Sequence, residues 1–169
     1  EDPRRDARFV AAHAHDVSLR QPARSPSRRG RAARPDRRAM FVDSHCHLDF
    51  ADFAADRPAV LAAMAAARVT HALCIGVDLA DWPAVHGLAT AHANLFATVG
   101  VHPDYPDASE PTVADLVARA ALPKVVAIGE TGLDYYRLGG DLEWQRQRFR
   151  VHIRAARQKS LAASRQKVE

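Results

Sequence analysis

Apolar strand-like runs and helix-like segments alternate four times along residues 41–157. Each predicted strand is a short, continuous apolar run, and each is followed by a segment in which apolar and polar positions have helical spacing. The predicted strands cover 41–45, 71–76, 95–101 and 125–129, and the predicted helices cover 58–68, 81–92, 111–121 and 141–157. Wholly apolar strands that alternate with helices are typical of a parallel sheet covered on both faces. The pattern therefore predicts an α/β fold of four βα units, which both an open doubly wound sheet and a closed eight-stranded barrel contain.

Residues 1–39 lack this periodicity and differ in composition from the rest of the chain. Residues 1–40 contain eleven arginines, four prolines and five acidic residues, a net charge of +6, whereas residues 41–169 have a net charge of −2. Such a segment cannot bury enough apolar surface to offset the entropy cost of ordering it, so we expect it to be disordered. Because Met40 directly precedes the first strand, we interpret residues 1–39 as an over-extended reading frame. The excess basic charge belongs to this segment and gives only weak, nonspecific attraction to nucleic acid.

Composition narrows the protein class further. No window approaches the run of about 18 apolar residues that a membrane-spanning helix needs. The two cysteines, Cys46 and Cys74, both lie in apolar strand-like runs, which argues against a disulfide scaffold and favours a reducing compartment. We therefore expect a cytoplasmic protein without a membrane partner or an obligate protein partner.

The end of the first predicted strand carries two histidines, His45 and His47. Their spacing of two places both side chains on one face of an extended strand, with Cys46 on the other face, where it packs. Two imidazoles that project together make half of a divalent-metal site. The motif is weak by itself, because His13 and His15 have the same spacing where no strand is predicted. A surface histidine pair is the alternative interpretation.

The ends of the third and fourth predicted strands are also polar. His102 and Asp104 follow the third strand, where they either contact a substrate phosphate or are solvated turn residues. Glu130 follows the fourth strand between Gly129 and Gly132, which permit a tight turn and close approach of the backbone. A glutamate there can bridge two cations, as in two-metal hydrolytic sites, or it can pair with an arginine.

The carboxyl ends of parallel strands meet at one edge, and barrel enzymes carry their active sites there. The polar clusters after strands one, three and four therefore predict one site, to which Asp78, after strand two, adds a carboxylate of unassigned role. Neutral His45 and His47 offer Glu130 no opposite charge, which favours a cation between the three side chains. These ligand types suit Mg, Mn, Zn or Fe.

Four segments at the strand ends carry a further signal. They are Phe41–Asp49 (FVDSHCHLD), Cys74–Asp78 (CIGVD), Thr98–Pro103 (TVGVHP) and Ala127–Tyr136 (AIGETGLDYY). Together with Gln145 and Phe149 in the following helix, they closely resemble the TatD family of metal-dependent deoxyribonucleases. The resemblance covers residues 41–157. It implies a (β/α)8 barrel of the TIM type, a two-metal site and hydrolysis of phosphodiester bonds.

The resemblance also assigns roles to individual residues. His45, His47 and Glu130 fall on metal-ligand positions, and Glu130 is in addition the catalytic carboxylate. His102, Asp134 and Tyr135 fall on positions that line the site and bind substrate. The implied cofactors are two divalent metal ions (Mg, Mn or Zn), and the implied partner is DNA or another phosphoester substrate.

The length of the chain departs from the family. A barrel of this kind takes about 250 residues, whereas residues 40–169 number 130. The family's remaining ligands, two histidines after strands five and six and an aspartate after strand eight, have no counterpart here. We therefore interpret residues 40–157 as the N-terminal half of a TatD-like hydrolase domain and residues 158–169 as an atypical polar end. From this chain alone we expect negligible nuclease activity.

Two other interpretations remain open. Amidohydrolases that act on C–N or C–O bonds share the His-x-His motif of strand one, but many of them have a carbamylated lysine where this chain has Glu130. The other alternative is a non-catalytic half-barrel. Its first and fourth strands would be sheet edges, which are templates for pairing or aggregation.

Overall fold

The structure is a computed structural model that describes the backbone of residues 40–165 and the side chains of residues 40–160. The expected disorder of residues 1–39, the pair His13 and His15, and the last part of the segment 158–169 lie outside these described residues. Within them, no helix is both long enough and apolar enough to cross a membrane.

The eight predicted strands and helices are present, and most ends lie within two residues of their expected positions. The elements are β1 (Phe41–Cys46), a short 3-10 helix (Ala51–Phe53), α1 (Arg57–Ala66), β2 (Val69–Cys74), α2 (Trp82–Ala91), β3 (Leu95–Val99), α3 (Val113–Ala120), β4 (Val125–Ile128) and α4 (Glu143–Arg165). The last helix differs most, because it was expected to end near Arg157 and continues to Arg165. Residues 158–165 contain neither glycine nor proline, so nothing in the sequence stops the helix there.

Side chains cap the starts of two helices. The Asp141 carboxylate accepts a hydrogen bond from the Glu143 backbone N–H at 2.9 Å and so caps the start of α4. At α3, Thr112 and Asp115 form a reciprocal capping box. These caps fix where the two helices begin, and α4 in turn packs against both α3 and β4.

The four strands form one parallel sheet in the order β1-β2-β3-β4. The register pairs Cys46 with Cys74, and Val99 with Ile128, so the carboxyl ends of neighbouring strands lie side by side. Within the described residues, β1 and β4 are the edges, as expected. The prediction that every strand is covered on both faces fails at these edges, because Val42 is 65% exposed and Val126 is 59% exposed.

The hydrophobic core lies between the sheet and its helices. Its largest fully buried apolar members are Leu95, Leu116, Val85 and Val99. The inward face of α4 carries three polar residues, whereas Ile153 is 43% exposed. Those residues are Gln145, Arg148 and His152, which lie between Leu142 and Ala155 at helical spacing.

Candidate metal centre

His45 and His47 project from the carboxyl end of β1 towards the same region. Their ring centroids are 5.1 Å apart in an edge-to-face arrangement, His45 being exposed and His47 half-buried. Cys46 lies between them in sequence and packs against the core, where its Sγ is 3.9 Å from Sγ of Cys74. The expected alternation of side chains along β1 is therefore confirmed.

Glu130 is held at the end of β4 by backbone hydrogen bonds to two neighbouring segments. The Glu130 N–H donates to the carbonyl of Gly76, and the Gly129 N–H donates to the carbonyl of Val99, each at 2.8 Å. Gly100 makes this close approach possible, because a Cβ there would lie 2.5 Å from the carbonyl carbon of Gly129 and 2.6 Å from the carbonyl oxygen of Glu130. The backbone that carries Glu130 thus tolerates no side chain at position 100.

The three predicted ligands converge at this edge of the sheet. One ligand atom from each of His45, His47 and Glu130 lies within 4.8 Å of the other two. Nε2 of His45 is 3.4 Å from a carboxylate oxygen of Glu130. Two imidazoles and one carboxylate form a donor set that suits Zn, Mn or other divalent ions.

The structure brings His102, which follows β3, into contact with Glu130. Its Nε2 is 3.3 Å from Oε1 of Glu130, while its Nδ1 accepts a hydrogen bond from the Asp104 N–H at 3.0 Å. Because Nδ1 is the acceptor, a neutral imidazole here has its N–H on Nε2. This N–H donates a hydrogen bond to Oε1 of Glu130. The geometry therefore places His102 beside the carboxylate as a hydrogen-bond donor.

The electrostatics favour the protonation states that bind a cation. The hydrogen bond from His102 lowers the pKa of Glu130, against the opposing effect of burial, so the carboxylate stays ionised. Burial, reinforced by the neighbouring His45, lowers the pKa of His47 and keeps that imidazole neutral. An anionic carboxylate and a neutral imidazole are the forms that coordinate a metal.

Three buried polar atoms without partners belong to a candidate ligand or to residues close to one in sequence. Within the described residues, these atoms are Nδ1 of His47, Oδ1 of Asp49 and Oγ1 of Thr131. Buried polar atoms are normally paired with protein or ordered water, and unpaired ones often mark an ion or a water site. The lone pair of His47 is therefore available to a ligand, and the donor set fits a divalent cation.

Asp134 and Tyr135 lie on the wall of a cleft of about 530 Å³ that His102 and Glu130 also line. The Asp134 carboxylate accepts hydrogen bonds from the Tyr136 and Arg137 N–H groups at 2.9 Å each, and these bonds lower its pKa. The structure therefore brings both residues to the site, with the carboxylate of Asp134 occupied in shaping its own turn.

Asp78 does not join the cluster of candidate ligands. Its carboxylate accepts a hydrogen bond from the Ala80 N–H at 2.6 Å, which shapes the turn before α2. Asp104 is also outside this cluster, and its carboxylate lies 3.4 Å from the guanidinium of Arg137.

Sequence reasoning missed the support that α4 gives to the site. The amide of Gln145 donates to the carbonyls of Pro103 and Asp134 and accepts from the Asp134 N–H, and so it joins the loops after β3 and β4. Arg148 donates to the carbonyls of His102 and Tyr105 at 2.9 Å each. The signal was present in the sequence, because positions 145, 148 and 152 share a helical face with buried Leu142.

Comparisons with known proteins show which family this chain is similar to. A family model described as TatD related DNase matches residues 42–164. The metal-dependent hydrolase YcfH of Escherichia coli K12, described as uncharacterized, is 38% identical over 123 residues, which are 70% of this chain and 46% of that protein. The 3'-5' ssDNA/RNA exonuclease TatD of Citrobacter rodentium is 38% identical over 120 residues, 69% of this chain and 44% of the exonuclease.

A solved structure supports the fold. The crystal structure of YjjV, a TatD homologue from Escherichia coli K12, superposes with a TM-score of 0.63 at 30% identity, covering 71% of this chain and 48% of YjjV. The four βα units are thus part of a TIM-barrel type fold, as expected. The chain spans about half the length of the relatives that it matches.

Proposed function

Because this chain belongs to the TatD-related DNase family of metal-dependent hydrolases, we propose that His45, His47 and Glu130 hold divalent metal and contribute to the hydrolysis of phosphodiester bonds in DNA. The observation that carries the proposal is the convergence of these three ligand atoms within 4.8 Å of one another. The unpartnered Nδ1 of His47 and the ionised state of Glu130 support it.

Glu130 and His102 have different roles at the proposed metal site. A bound divalent cation acts as a Lewis acid on a phosphoryl oxygen and promotes the ionisation of water. Glu130 supplies the negative charge that attracts the cation, and its position is fixed from the backbone. His102 keeps Glu130 anionic by donating a hydrogen bond from its Nε2, and its ring also lines the cleft.

The charge of the cleft also supports a need for metal. Its lining contains the carboxylates of Glu130 and Asp134 against one guanidinium, that of Arg137. A phosphodiester anion gains little in such surroundings unless a cation offsets the carboxylates. The nuclease names of relatives such as the Citrobacter rodentium exonuclease make a nucleic acid strand the substrate that we propose.

Metal binding by the full chain tests the proposal. We expect Mn²⁺, followed by electron paramagnetic resonance, to bind the wild type and to bind Glu130→Gln at least tenfold more weakly, because the negative charge of the carboxylate is lost. Asp107→Asn is the matched control, because Asp107 is an exposed carboxylate outside the cleft lining. Equal Mn²⁺ affinity of wild type and Glu130→Gln would refute the assignment of the ligands.

Hydrolysis tests the reaction itself. In a protein that carries this chain's residues together with the remaining half of the barrel, we expect nucleotide release from DNA to require divalent metal, to stop with chelator and to fall at least 100-fold in Glu130→Gln. Such a protein that binds Mn²⁺ through Glu130 but leaves DNA intact would refute the nuclease reaction while leaving the metal site in place.

A further inference from the structure

The loop after β4 presents aromatic rings at the cleft beyond the candidate ligands. Tyr136 is 96% exposed and Tyr135 is 59% exposed, and both line the same cleft as Glu130. A large apolar ring that is almost wholly exposed gains nothing from the core. The position of Tyr136 puts an aromatic face beside the polar cleft, within reach of a ligand bound there.

Hydrogen bonds hold the backbone under Tyr136 in place. The Asp134 carboxylate accepts from the N–H groups of Tyr136 and Arg137, which closes a tight turn. The turn is anchored to α4, because buried Gln145 bonds both the N–H and the carbonyl of Asp134. The ring of Tyr136 is thus carried by an ordered turn, which lowers the entropy cost of contacting a ligand.

A cationic side chain follows the ring directly. Arg137 is about half exposed, and its guanidinium lies 3.4 Å from the Asp104 carboxylate, which links the loops after β3 and β4. An exposed aromatic ring beside a cation is the pairing by which proteins hold single-stranded nucleic acid, with the ring against a base and the cation near the backbone. A base inside a duplex has both faces stacked, so only an unpaired base can lie against such a ring.

We propose that Tyr136 is a stacking platform for an unpaired nucleobase of the strand whose phosphate reaches Glu130, with Arg137 beside the sugar–phosphate backbone. This inference rests on the proposed function and adds to it the residue that selects single strands. Tyr136 acts by binding and takes no part in the bond-breaking step.

Binding of a labelled oligothymidylate to the full chain tests the inference by fluorescence anisotropy. Phosphorothioate linkages prevent its hydrolysis, and roughly 0.2 M salt weakens nonspecific attraction to the arginine-rich residues 1–39. We expect Tyr136→Ala to weaken binding by roughly fivefold or more, because one stacked base is lost. Tyr136→Phe, which keeps the ring, restores wild-type affinity.

Two controls separate stacking from other effects. Phe41→Ala removes an exposed aromatic ring at the opposite end of β1 and leaves affinity unchanged. An abasic oligonucleotide of the same length binds wild type and Tyr136→Ala equally, because it has no base to stack. We expect an oligonucleotide that contains 5-iodouracil to crosslink to Tyr136 on irradiation, and mass spectrometry locates the crosslinked residue.

The outcomes distinguish this inference from the proposed function. If Tyr136→Ala binds oligothymidylate as tightly as the wild type, stacking is refuted, while the Mn²⁺ affinity of Glu130→Gln still reports on the metal site. If the Tyr136→Ala defect persists with the abasic oligonucleotide, the residue supports the loop and contacts no base. If Tyr136→Ala lowers the affinity for a blunt duplex by the same factor as the affinity for the single strand, the selection of single strands is refuted.

Discussion

Nε2 of His102 lies 3.3 Å from Oε1 of Glu130, and this contact joins the ends of the two strands β3 and β4. Gly100 allows the contact, because it removes the side chain that would separate the two strand ends. Arg148 then holds the carbonyl of His102 from the side of α4. The geometry of the candidate site thus depends on one position without a side chain and on one buried guanidinium.

A methyl group at position 100 tests the first of these requirements. In Gly100→Ala the new Cβ would overlap the backbone of Gly129 and Glu130, so we expect a loss of stability of about 1–3 kcal/mol. Mn²⁺ affinity should fall with it, because Glu130 must move. Urea unfolding and Mn²⁺ titration measure the two effects.

Gly87→Ala is the matched control for that substitution. Gly87 lies within α2, and apart from the neighbouring backbone of that helix nothing comes within 4 Å of the Cβ position. Alanine is the better helix former, so we expect a gain of about 0.5–1 kcal/mol and unchanged Mn²⁺ affinity. If Gly100→Ala behaved like Gly87→Ala, the close approach of the strand ends would be of no importance to the site.

The buried guanidinium of Arg148 gives a second prediction. It bonds the carbonyls of His102 and Tyr105 and both carboxylate oxygens of Glu110. We expect Arg148→Met to lower the free energy of unfolding by about 2–4 kcal/mol, since two carbonyls lose their donor. Chemical unfolding followed by circular dichroism measures this loss.

Exposed Arg150 provides the comparison for Arg148. It pairs with Glu143 at 2.6 Å on the same helix, and exposed ion pairs contribute about 0–1 kcal/mol. Arg150→Met should therefore change the free energy of unfolding by no more than about 1 kcal/mol. A loss as large as that of Arg148→Met would show that surface pairing on α4, and not the buried bonds, stabilises the helix.

Buried His152 makes the free energy of unfolding decrease as the pH falls. Its Nε2 accepts from the Val101 N–H, and its Nδ1 donates to the Arg148 carbonyl. Burial lowers the pKa of His152, and this effect outweighs the hydrogen bond to the Arg148 carbonyl, which raises it. The unfolded chain then binds the proton more readily, so this contribution is complete above about pH 6.5 and is lost as the pH falls towards the lowered value.

The stability difference between wild type and His152→Gln isolates that effect. We expect the wild type to lose its advantage as the pH falls below about 6.5, with a limiting slope of about 1.4 kcal/mol per pH unit. Urea unfolding at several pH values measures the difference. A constant difference across this range would show that His152 is not the titrating group.

The sequence predicted the elements and the convergence of the ligands for a simple reason. Parallel βα units bring strand ends together, so His45, His47 and Glu130 at the ends of two strands had to meet at one edge. The match of the segments Phe41–Asp49 and Ala127–Tyr136 to the TatD family was confirmed by the family model. Local pattern and topology were sufficient for both.

The buried face of α4 could not be predicted from the sequence in the same way. The helix buries Arg148 and His152 and exposes Ile153, which is the reverse of what hydrophobicity alone would indicate. A buried arginine is stable only because Glu110 and two loop carbonyls lie at the right distance, and those partners are about 40 residues away in the chain. Such long-range polar pairing has no periodic signature in a single sequence.

The contact between His102 and Glu130 gives the last prediction, which rests on the proposed metal site. The His102 hydrogen bond is the main cause that lowers the pKa of Glu130, so His102→Phe raises that pKa. Protons then compete with metal up to a higher pH, and the midpoint of Mn²⁺ binding against pH shifts upwards in His102→Phe. His71→Phe is the control, because His71 is exposed on β2 and lies outside the cleft, and its midpoint should match the wild type. Electron paramagnetic resonance of free Mn²⁺ gives each midpoint, and a shift in the opposite direction would mean that His102 opposes metal binding.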